Sequence, residues 1–192
     1  MGNRVGKAAA TREAIIRAAL ELFFEKGYEN TSIRMITARA GLEVGSFYYY
    51  FAAKENVLEA AIDLFFERYE RQMREVVEKG KQSSRHILTD YVDYIDRAVQ
   101  SFRAQYLRTL HWSILAAIRE HTIKTMAHYI CEILQYYVDV KTIEAPHGGV
   151  GTTADMVAAS VGFSVLYRSE EDYRSRREAV LRIIPLLTGA QL

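Results

Sequence analysis

The sequence predicts an all-α protein with an N-terminal three-helix head, which contains a helix-turn-helix, and a C-terminal helical bundle. About nine helices are expected in total. Two prolines and 11 glycines in 192 residues favour long helices over short strands with tight turns. Apolar residues recur at helical spacing along most of the chain, and no strand-like alternation or internal repeat is evident.

Composition and charge narrow the classes of protein further. A hydrophobic fraction of 49% and a charged fraction of 26% are those of a globular chain. The single cysteine excludes an internal disulfide and a multi-cysteine zinc site. The longest uncharged stretch, Met156–Tyr167, is 12 residues long, well short of the ~20 that a membrane-spanning helix needs. With no secretory signal at its start, the protein is expected to be soluble, cytoplasmic and free of the membrane.

Charge is distributed unevenly along the chain. Residues 1–54 carry eight Lys or Arg against five Asp or Glu, whereas residues 55–192 carry seventeen against nineteen. A mildly basic head on a mildly acidic body is consistent with contact to a polyanion at one end.

The first helix is predicted over Thr11–Lys26. Gly27 follows it and supplies the left-handed residue that often ends a helix. One face of the helix is apolar at i, i+4, i+7 and i+8, and is formed by Ile15, Ala19, Leu22 and Phe23.

Two short helices come next and give the outline of a helix-turn-helix. The second helix is expected to begin after Thr31 as its N-cap and to end at Gly41. The third is expected over Gly45–Phe51, with Phe47 and Phe51 on its buried side because they are four residues apart. A four-residue connection that contains a glycine is typical of this unit.

The rest of the chain is predicted as a long helix followed by a bundle. The long helix runs over Lys54–Lys79 and ends near Gly80, where the polar Gln82-Ser83-Ser84 follows. Further helices are expected at about residues 85–102, 104–118, 121–138, 153–168 and 171–187.

The stretch from Ala40 to Glu55 carries a long, multi-point motif. An Ala-Gly turn leads into a helix that reads Phe-Tyr-Tyr-Tyr-Phe, and the pair Lys54-Glu55 then opens the next helix. Over Phe23–Leu58 this spacing resembles the tetracycline-repressor (TetR) family of bacterial transcription regulators. The resemblance implies a DNA-binding domain over residues 1–53 and a ligand-binding and dimerisation domain over residues 54–192. No serine–histidine or paired-carboxylate arrangement is evident in the sequence, so no enzymatic activity is expected.

Chemistry and the resemblance together point to a set of DNA-contacting residues. Small residues permit close backbone approach, tyrosine hydroxyls and rings suit phosphates and thymine methyls, and cations suit phosphates. The third helix contains no Lys or Arg, so base specificity is expected to depend on hydroxyls, apolar contacts, Arg34 and DNA shape. The predicted contacts are Ser32, Arg34, Val44, Gly45, Ser46, Tyr48, Tyr49 and Lys54.

Residues 85–140 are rich in aromatic side chains and histidines. The resemblance implies a small-molecule pocket in this region, whereas the alternative is a plain bundle core. The predicted pocket residues are Tyr91, Phe102, His111, Trp112, His128 and Tyr129, which suit a mostly apolar or aromatic effector. No cofactor or metal is expected, because His121 and His128 are too far apart along a helix to share an ion.

Two-fold symmetry follows from the expected mode of DNA binding, because one recognition helix reads only a few base pairs. In the family, the last two helices form the interface between subunits. The expected interface residues are Val157, Ser160, Val161, Ser164, Tyr167, Leu181 and Ile184, with packing inside one subunit as the alternative.

The sequence therefore predicts a ligand-responsive repressor that binds double-stranded operator DNA as a homodimer. One alternative is a DNA-binding protein whose C-terminal domain docks a protein partner without any small-molecule effector. A second is a small helical enzyme or carrier that does not bind DNA, which salt-dependent DNA binding would exclude.

Overall fold

The computed structural model describes residues 2–83 and 87–162, together with residues 171 and 178. The prediction of an all-helical fold is confirmed across these residues. They form seven helices rather than about nine, and the last predicted helix lies largely outside the described residues. The helices are α1 (Gly2–Lys26), α2 (Ile33–Arg39), α3 (Val44–Tyr50), α4 (Lys54–Ser83), α5 (Ile87–Tyr106), α6 (Trp112–Asp139) and α7 (Gly149–Gly162).

The predicted pair of helices over 104–118 and 121–138 is wrong, because α6 is continuous from Trp112 to Asp139. The interruption lies earlier, between the end of α5 at Tyr106 and the start of α6. Buried residues continue along α6 across the predicted break, with Ile118 and Met126 both almost fully buried. Because burial of one face is continuous, it stabilises the helix across the polar residues at which the break was predicted.

Gly80 was expected to end the long helix, but α4 continues through it to Ser83. The absence of a side chain at Gly80 instead allows Ile87 to pack closely against α4. A Cβ atom at this position would lie 2.8 Å from Cγ1 and 3.1 Å from Cβ of the buried Ile87. The small residue is therefore explained by packing against the start of α5 rather than by helix termination.

The chain divides into two compact units. The first comprises Met1–Glu67 with Thr109–Ala117, and the second comprises Arg68–Arg108 with Ile118–Leu192. The first unit is larger than the predicted DNA-binding segment 1–53, because it includes the first half of α4 and the residues around the start of α6.

The core of the first unit is formed by apolar residues of α1, α2 and α3 and of the parts of α4 and α6 that belong to this unit. The stripe predicted for α1 is confirmed, since its four residues are at most 2% exposed, and Phe47 and Phe51 are buried as expected. The remaining large buried residues include Ile36 from α2, Val57 and Ile62 from α4, and Ile114 from α6.

The second unit is built from the later part of α4 and from α5, α6 and α7. Buried residues recur at helical spacing on α5 and α6, as in Ile87, Tyr91 and Ile95. At Gly162 on α7, an added Cβ would collide with the side chain of Ile123. None of the helices in the described ranges is long and apolar enough to span a bilayer.

Replacing Gly80 with alanine is expected to lower the free energy of unfolding by about 1–2 kcal/mol, because overpacking against Ile87 outweighs the gain in helix propensity. Gly151→Ala is the matched control, since nothing lies within 4 Å of its added Cβ. The control is expected to be neutral or stabilising by up to about 1 kcal/mol. Urea denaturation of both variants measures the difference, and equal effects would contradict the packing account.

Candidate nucleic-acid interface

The turn between α2 and α3 has the hydrogen bonds of a Schellman motif. The amide of Leu42 donates to the carbonyl of Thr37 at 2.8 Å, and the amide of Gly41 donates to that of Ala38 at 3.2 Å. Gly41 has a φ of +70°, in the left-handed region that glycine adopts without strain. The prediction that Gly41 ends α2 is confirmed, and the motif fixes the direction in which α3 leaves the turn.

The N-cap of α2 is Ser32, not Thr31 as predicted. The Ser32 hydroxyl accepts a hydrogen bond from the Met35 amide at 3.2 Å. Thr31 is buried, and its hydroxyl oxygen lies 2.8 Å from the carbonyl of Gly27 and 3.3 Å from that of Leu22. Because Ser32 is exposed and accepts at its cap, its own hydroxyl proton is available to an external oxygen.

The two faces of α3 differ sharply in exposure. Phe47 is fully buried, whereas Val44, Tyr48 and Tyr49 are 41%, 59% and 80% exposed. Neither of these two tyrosine hydroxyls makes a hydrogen bond within the described part of the chain. An exposed aromatic and apolar face of this extent on a short helix is a candidate binding surface.

The first turn of α3 is open on one side. Nothing lies within 4 Å of a Cβ added at Gly45, which is exposed. Ser46 is half-buried, and its amide already donates to the carbonyl of Glu43 at 3.0 Å. The hydroxyl of Ser46, rather than its amide, is therefore the group left for an external contact.

Lys54 lies at the start of α4, where it binds the turn between α1 and α2. Its ammonium group donates to the carbonyls of Tyr28 and Thr31, each at 2.9 Å, and lies 4.0 Å from the centre of the Tyr28 ring. Two of its three protons are thus used inside the protein, and one is left for a phosphate.

Tyr28 is held by the same helix start. Its hydroxyl donates to Glu55 at 2.6 Å. Burial, together with this hydrogen bond, raises the pKa of Tyr28 to about 12, and the same bond lowers the pKa of the Glu55 carboxyl. The α1–α2 turn is therefore fixed to α4 by three polar contacts.

Arg39 fixes the other end of α2 to α1. Its guanidinium donates to both carboxylate oxygens of Glu25 at 3.0 Å and to Glu21 at 3.1 Å. The hydrogen bond from Arg39 lowers the pKa of Glu25. This cluster is not predictable from the sequence, because it joins residues 14 and 18 positions apart on helices whose crossing the sequence does not reveal. Arg34, by contrast, is exposed and makes no side-chain hydrogen bond or ion pair to the described residues.

Residues around the start of α6 also bind the α1–α2 turn. The Ser113 hydroxyl donates to Glu29 at 2.9 Å, and Nδ1 of His111 lies 3.3 Å from the same carboxylate oxygen. Gly27 has a φ of +80°, as its predicted role at the end of α1 requires, and a Cβ added there would lie 2.7 Å from the His111 ring. Two predicted pocket residues, His111 and Trp112, are thus located in the first unit, where Trp112 is 67% exposed.

The other four predicted pocket residues lie in the second unit. Tyr91, Phe102 and Tyr129 are buried, and His128 is exposed with its ring 5.2 Å from that of Tyr129. The rings of Tyr91 and Tyr129 are 6.2 Å apart. Among the described residues, no three His, Cys, Asp or Glu side chains are grouped so as to hold a metal ion.

Hydrogen bonds from α5 and α6 converge on one turn of α4. The hydroxyl of Tyr94 lies 3.1 Å from the carbonyl of Tyr69 and 3.2 Å from Oε1 of Gln72. The hydroxyl of Tyr129 donates to the carbonyl of Glu70 at 3.3 Å, and Nε2 of His121 lies 3.0 Å from its carboxylate.

The residues predicted for a subunit interface are only partly described. Val157 is buried within the chain, Ser160 is exposed, and Val161 belongs to α7. The others lie outside the described residues, and are Ser164, Tyr167, Leu181 and Ile184.

Replacing Lys54 with methionine is expected to lower the free energy of unfolding by about 1–3 kcal/mol, because two carbonyls lose a charged donor. Lys7→Met is the control, since Lys7 is exposed and its side chain makes no hydrogen bond or ion pair with the described residues. That variant should change stability by less than about 0.5 kcal/mol. Should chemical denaturation give equal values for both variants, the Lys54 contacts contribute nothing to stability.

The first part of the chain is similar to a known protein family. Residues 15–61 match the family described as bacterial regulatory proteins, tetR family. The matched range contains α2, α3 and the polar contacts at the start of α4.

Several solved structures share the fold over most of the chain. RolR in complex with its ligand resorcinol is 17% identical with a TM-score of 0.67, and the match covers 93% of this chain and 89% of that one. Thermus thermophilus FadR, a TetR-family transcriptional repressor in complex with lauroyl-CoA, is 20% identical with a TM-score of 0.67, covering 94% and 95%. SmeT, the repressor of the Stenotrophomonas maltophilia multidrug efflux pump SmeDEF, is 21% identical with a TM-score of 0.62, covering 91% and 88%.

Proposed function

Because residues 15–61 match the tetR family of bacterial regulatory proteins, we propose that the chain is a transcriptional repressor that responds to a small molecule. It binds a palindromic operator as a homodimer in the cytoplasm, and a mostly apolar or aromatic effector releases it. The observation that carries the proposal is the exposed face of α3, where Tyr48 and Tyr49 project from a helix whose opposite face is buried.

The geometry of the first unit suits major-groove binding. A groove about 12 Å wide admits one helix, and α3 offers two tyrosine hydroxyls with the exposed apolar side chain of Val44 beside them. Ser32 and Arg34 at the start of α2, and the third proton of Lys54, would bind backbone phosphates. Bases are then read by hydroxyl and apolar contacts, with phosphate contacts setting the register.

The homodimer follows from the limited reach of a single recognition helix. The proposed interface draws on α7, where Ser160 and Met156 are exposed, and on predicted residues beyond the described part of the chain. Two copies related by a two-fold axis would place their α3 helices in successive major grooves, which requires a palindromic site.

The proposed effector site lies in the second unit, around Tyr91, Phe102 and Tyr129. These buried aromatic residues form an apolar environment with a few hydroxyl groups, as small-molecule sites commonly do. Structures with the same fold bind resorcinol, lauroyl-CoA and, for SmeT, triclosan, which supports an effector with a large apolar or aromatic part.

A single helix, α4, offers the route from effector to DNA. It contributes residues up to Glu67 to the first unit and later residues to the second. Tyr94 and Tyr129 hydrogen-bond to the turn of α4 around Tyr69 and Glu70. An effector that displaces this turn would move α4, and the start of α4 is bound to the α1–α2 turn through Lys54. Effector and DNA then oppose each other reciprocally, as linkage requires.

Selection from a pool of random duplexes, with the full chain as bait, tests the DNA-binding part of the proposal. The enriched sequences are expected to be palindromic, with half-sites one helical turn or a multiple apart. Tyr48→Ala should weaken binding to the enriched duplex at least about tenfold, the lower range for loss of one good base contact. Arg34→Ala should reduce the slope of log affinity against log salt by about 1.

Val140→Ala is the control for these variants, because Val140 is an exposed apolar residue of the second unit. It should leave both affinity and salt slope unchanged. Absence of salt-dependent binding to any duplex would overturn the proposal, and enrichment of non-palindromic sites would overturn its dimeric form.

A further inference from the structure

The hydroxyl group of Tyr91 is buried without an oxygen or nitrogen partner among the described residues. Tyr91 lies on α5 and is fully inaccessible to solvent. Among the described residues, the hydrogen-bond partner of its hydroxyl is the thioether sulfur of Met73, on α4, at 3.7 Å. Because a thioether is a weak acceptor, the strong O–H donor of Tyr91 is poorly satisfied.

The hydroxyl groups of two neighbouring tyrosines have oxygen atoms as hydrogen-bond partners. Tyr94 and Tyr129 each have a main-chain carbonyl oxygen of α4 within 3.3 Å of their hydroxyls. Tyr91 is the exception among the three, although it is the most deeply buried. Its burial also raises the pKa of its hydroxyl well above the ordinary value, so the group stays a neutral donor throughout the physiological range.

The surroundings of Tyr91 are apolar, aromatic and adaptable. Met73 is 3% exposed, and the ring of Tyr129 lies 6.2 Å away at an angle of 41°. A methionine side chain has three rotatable bonds and fills irregular space, so it moves aside more readily than a branched residue. Its displacement would leave a space lined by two aromatic rings, with one hydroxyl donor.

We propose that Tyr91 and Met73 form a binding subsite for a neutral aromatic molecule that carries a hydrogen-bond acceptor, such as an aryl ketone. The ligand oxygen takes the place of the Met73 sulfur as acceptor for the Tyr91 hydroxyl, and the ligand ring packs beside Tyr129. A carboxylate is disfavoured, because a lone neutral donor does not offset the burial of a charge. This inference rests on the proposed effector response and specifies the class of molecule that acts in it.

Two probes of similar shape test the subsite in the full-length protein. Acetophenone carries a carbonyl oxygen where isopropylbenzene carries a methyl group. Isothermal titration gives the dissociation constant of each, and their ratio in wild type is compared with that in Tyr91→Phe. The preference for acetophenone should fall at least about fivefold in the variant, the factor that corresponds to one net hydrogen bond.

Tyr94→Phe is the matched control, since its hydroxyl already has oxygen partners. It should leave the ratio of the two probes unchanged within about twofold. The two variants should also differ in melting temperature. Tyr91→Phe is expected to be neutral or slightly stabilising because it removes a poorly paired polar group, whereas Tyr94→Phe should be destabilising.

An unchanged ratio in Tyr91→Phe, or no binding of either probe to the wild-type protein, would overturn the subsite. DNA binding of the same preparation is measured in parallel, so that the two failures are distinguishable. Salt-dependent DNA binding without probe selectivity contradicts the subsite alone. Probe selectivity through Tyr91 without DNA binding contradicts the proposed repressor function alone.

Discussion

A seven-residue helix is too short to be stable by itself in water, and this constraint governs the first unit. The exposed face of α3 keeps a defined direction only because its other face is anchored. Phe47 and Phe51 supply that anchor by burial, and the Schellman turn at Gly41 fixes the angle of entry. Arg39 pairs with Glu25 and Glu21 and so holds α2 against α1. This contact fixes the position of α2, from whose C-terminal turn α3 begins.

The α1–α2 turn, from Gly27 to Thr31, is bound by two segments distant from it in the sequence. Lys54 and Glu55 contact it from the start of α4, and His111 and Ser113 contact it from the start of α6. Both helices also supply residues to the second unit. The turn that leads directly into α2 is therefore held by two helices whose later residues belong to the second unit.

Local features were predicted well from the sequence. The apolar stripe of α1, the helix stops at Gly27 and Gly41, and the buried pair Phe47 and Phe51 all depend on spacing or on glycine conformation, which a sequence displays directly. The predictions that failed required knowledge of distant partners. Gly80 was interpreted as a helix end because its neighbour, Ile87, becomes visible only in three dimensions.

The candidate site residues also include some that a local motif predicts and some whose contacts only the fold reveals. The exposed tyrosines of α3 belong to a motif of fixed spacing, and their exposure agrees with their predicted role. By contrast, the sequence gives no sign that Lys54 donates to two main-chain carbonyls or that His111 lies against Gly27, since the contacting residues are 23 or more positions apart. The weak hydrogen bond of Tyr91 is also invisible in sequence, because it depends on which atom of α4 faces the hydroxyl.

Binding of DNA by the exposed face of α3 would change the surroundings of its two exposed tyrosines. Fluorine NMR of protein labelled with 3-fluorotyrosine and titrated with a duplex obtained by selection measures this change. The resonances of Tyr48 and Tyr49 are expected to shift and broaden at low ratios of DNA to protein, while that of Tyr136 in the second unit responds least. Unchanged signals from Tyr48 and Tyr49 in the presence of bound DNA would show that this face of α3 does not contact it.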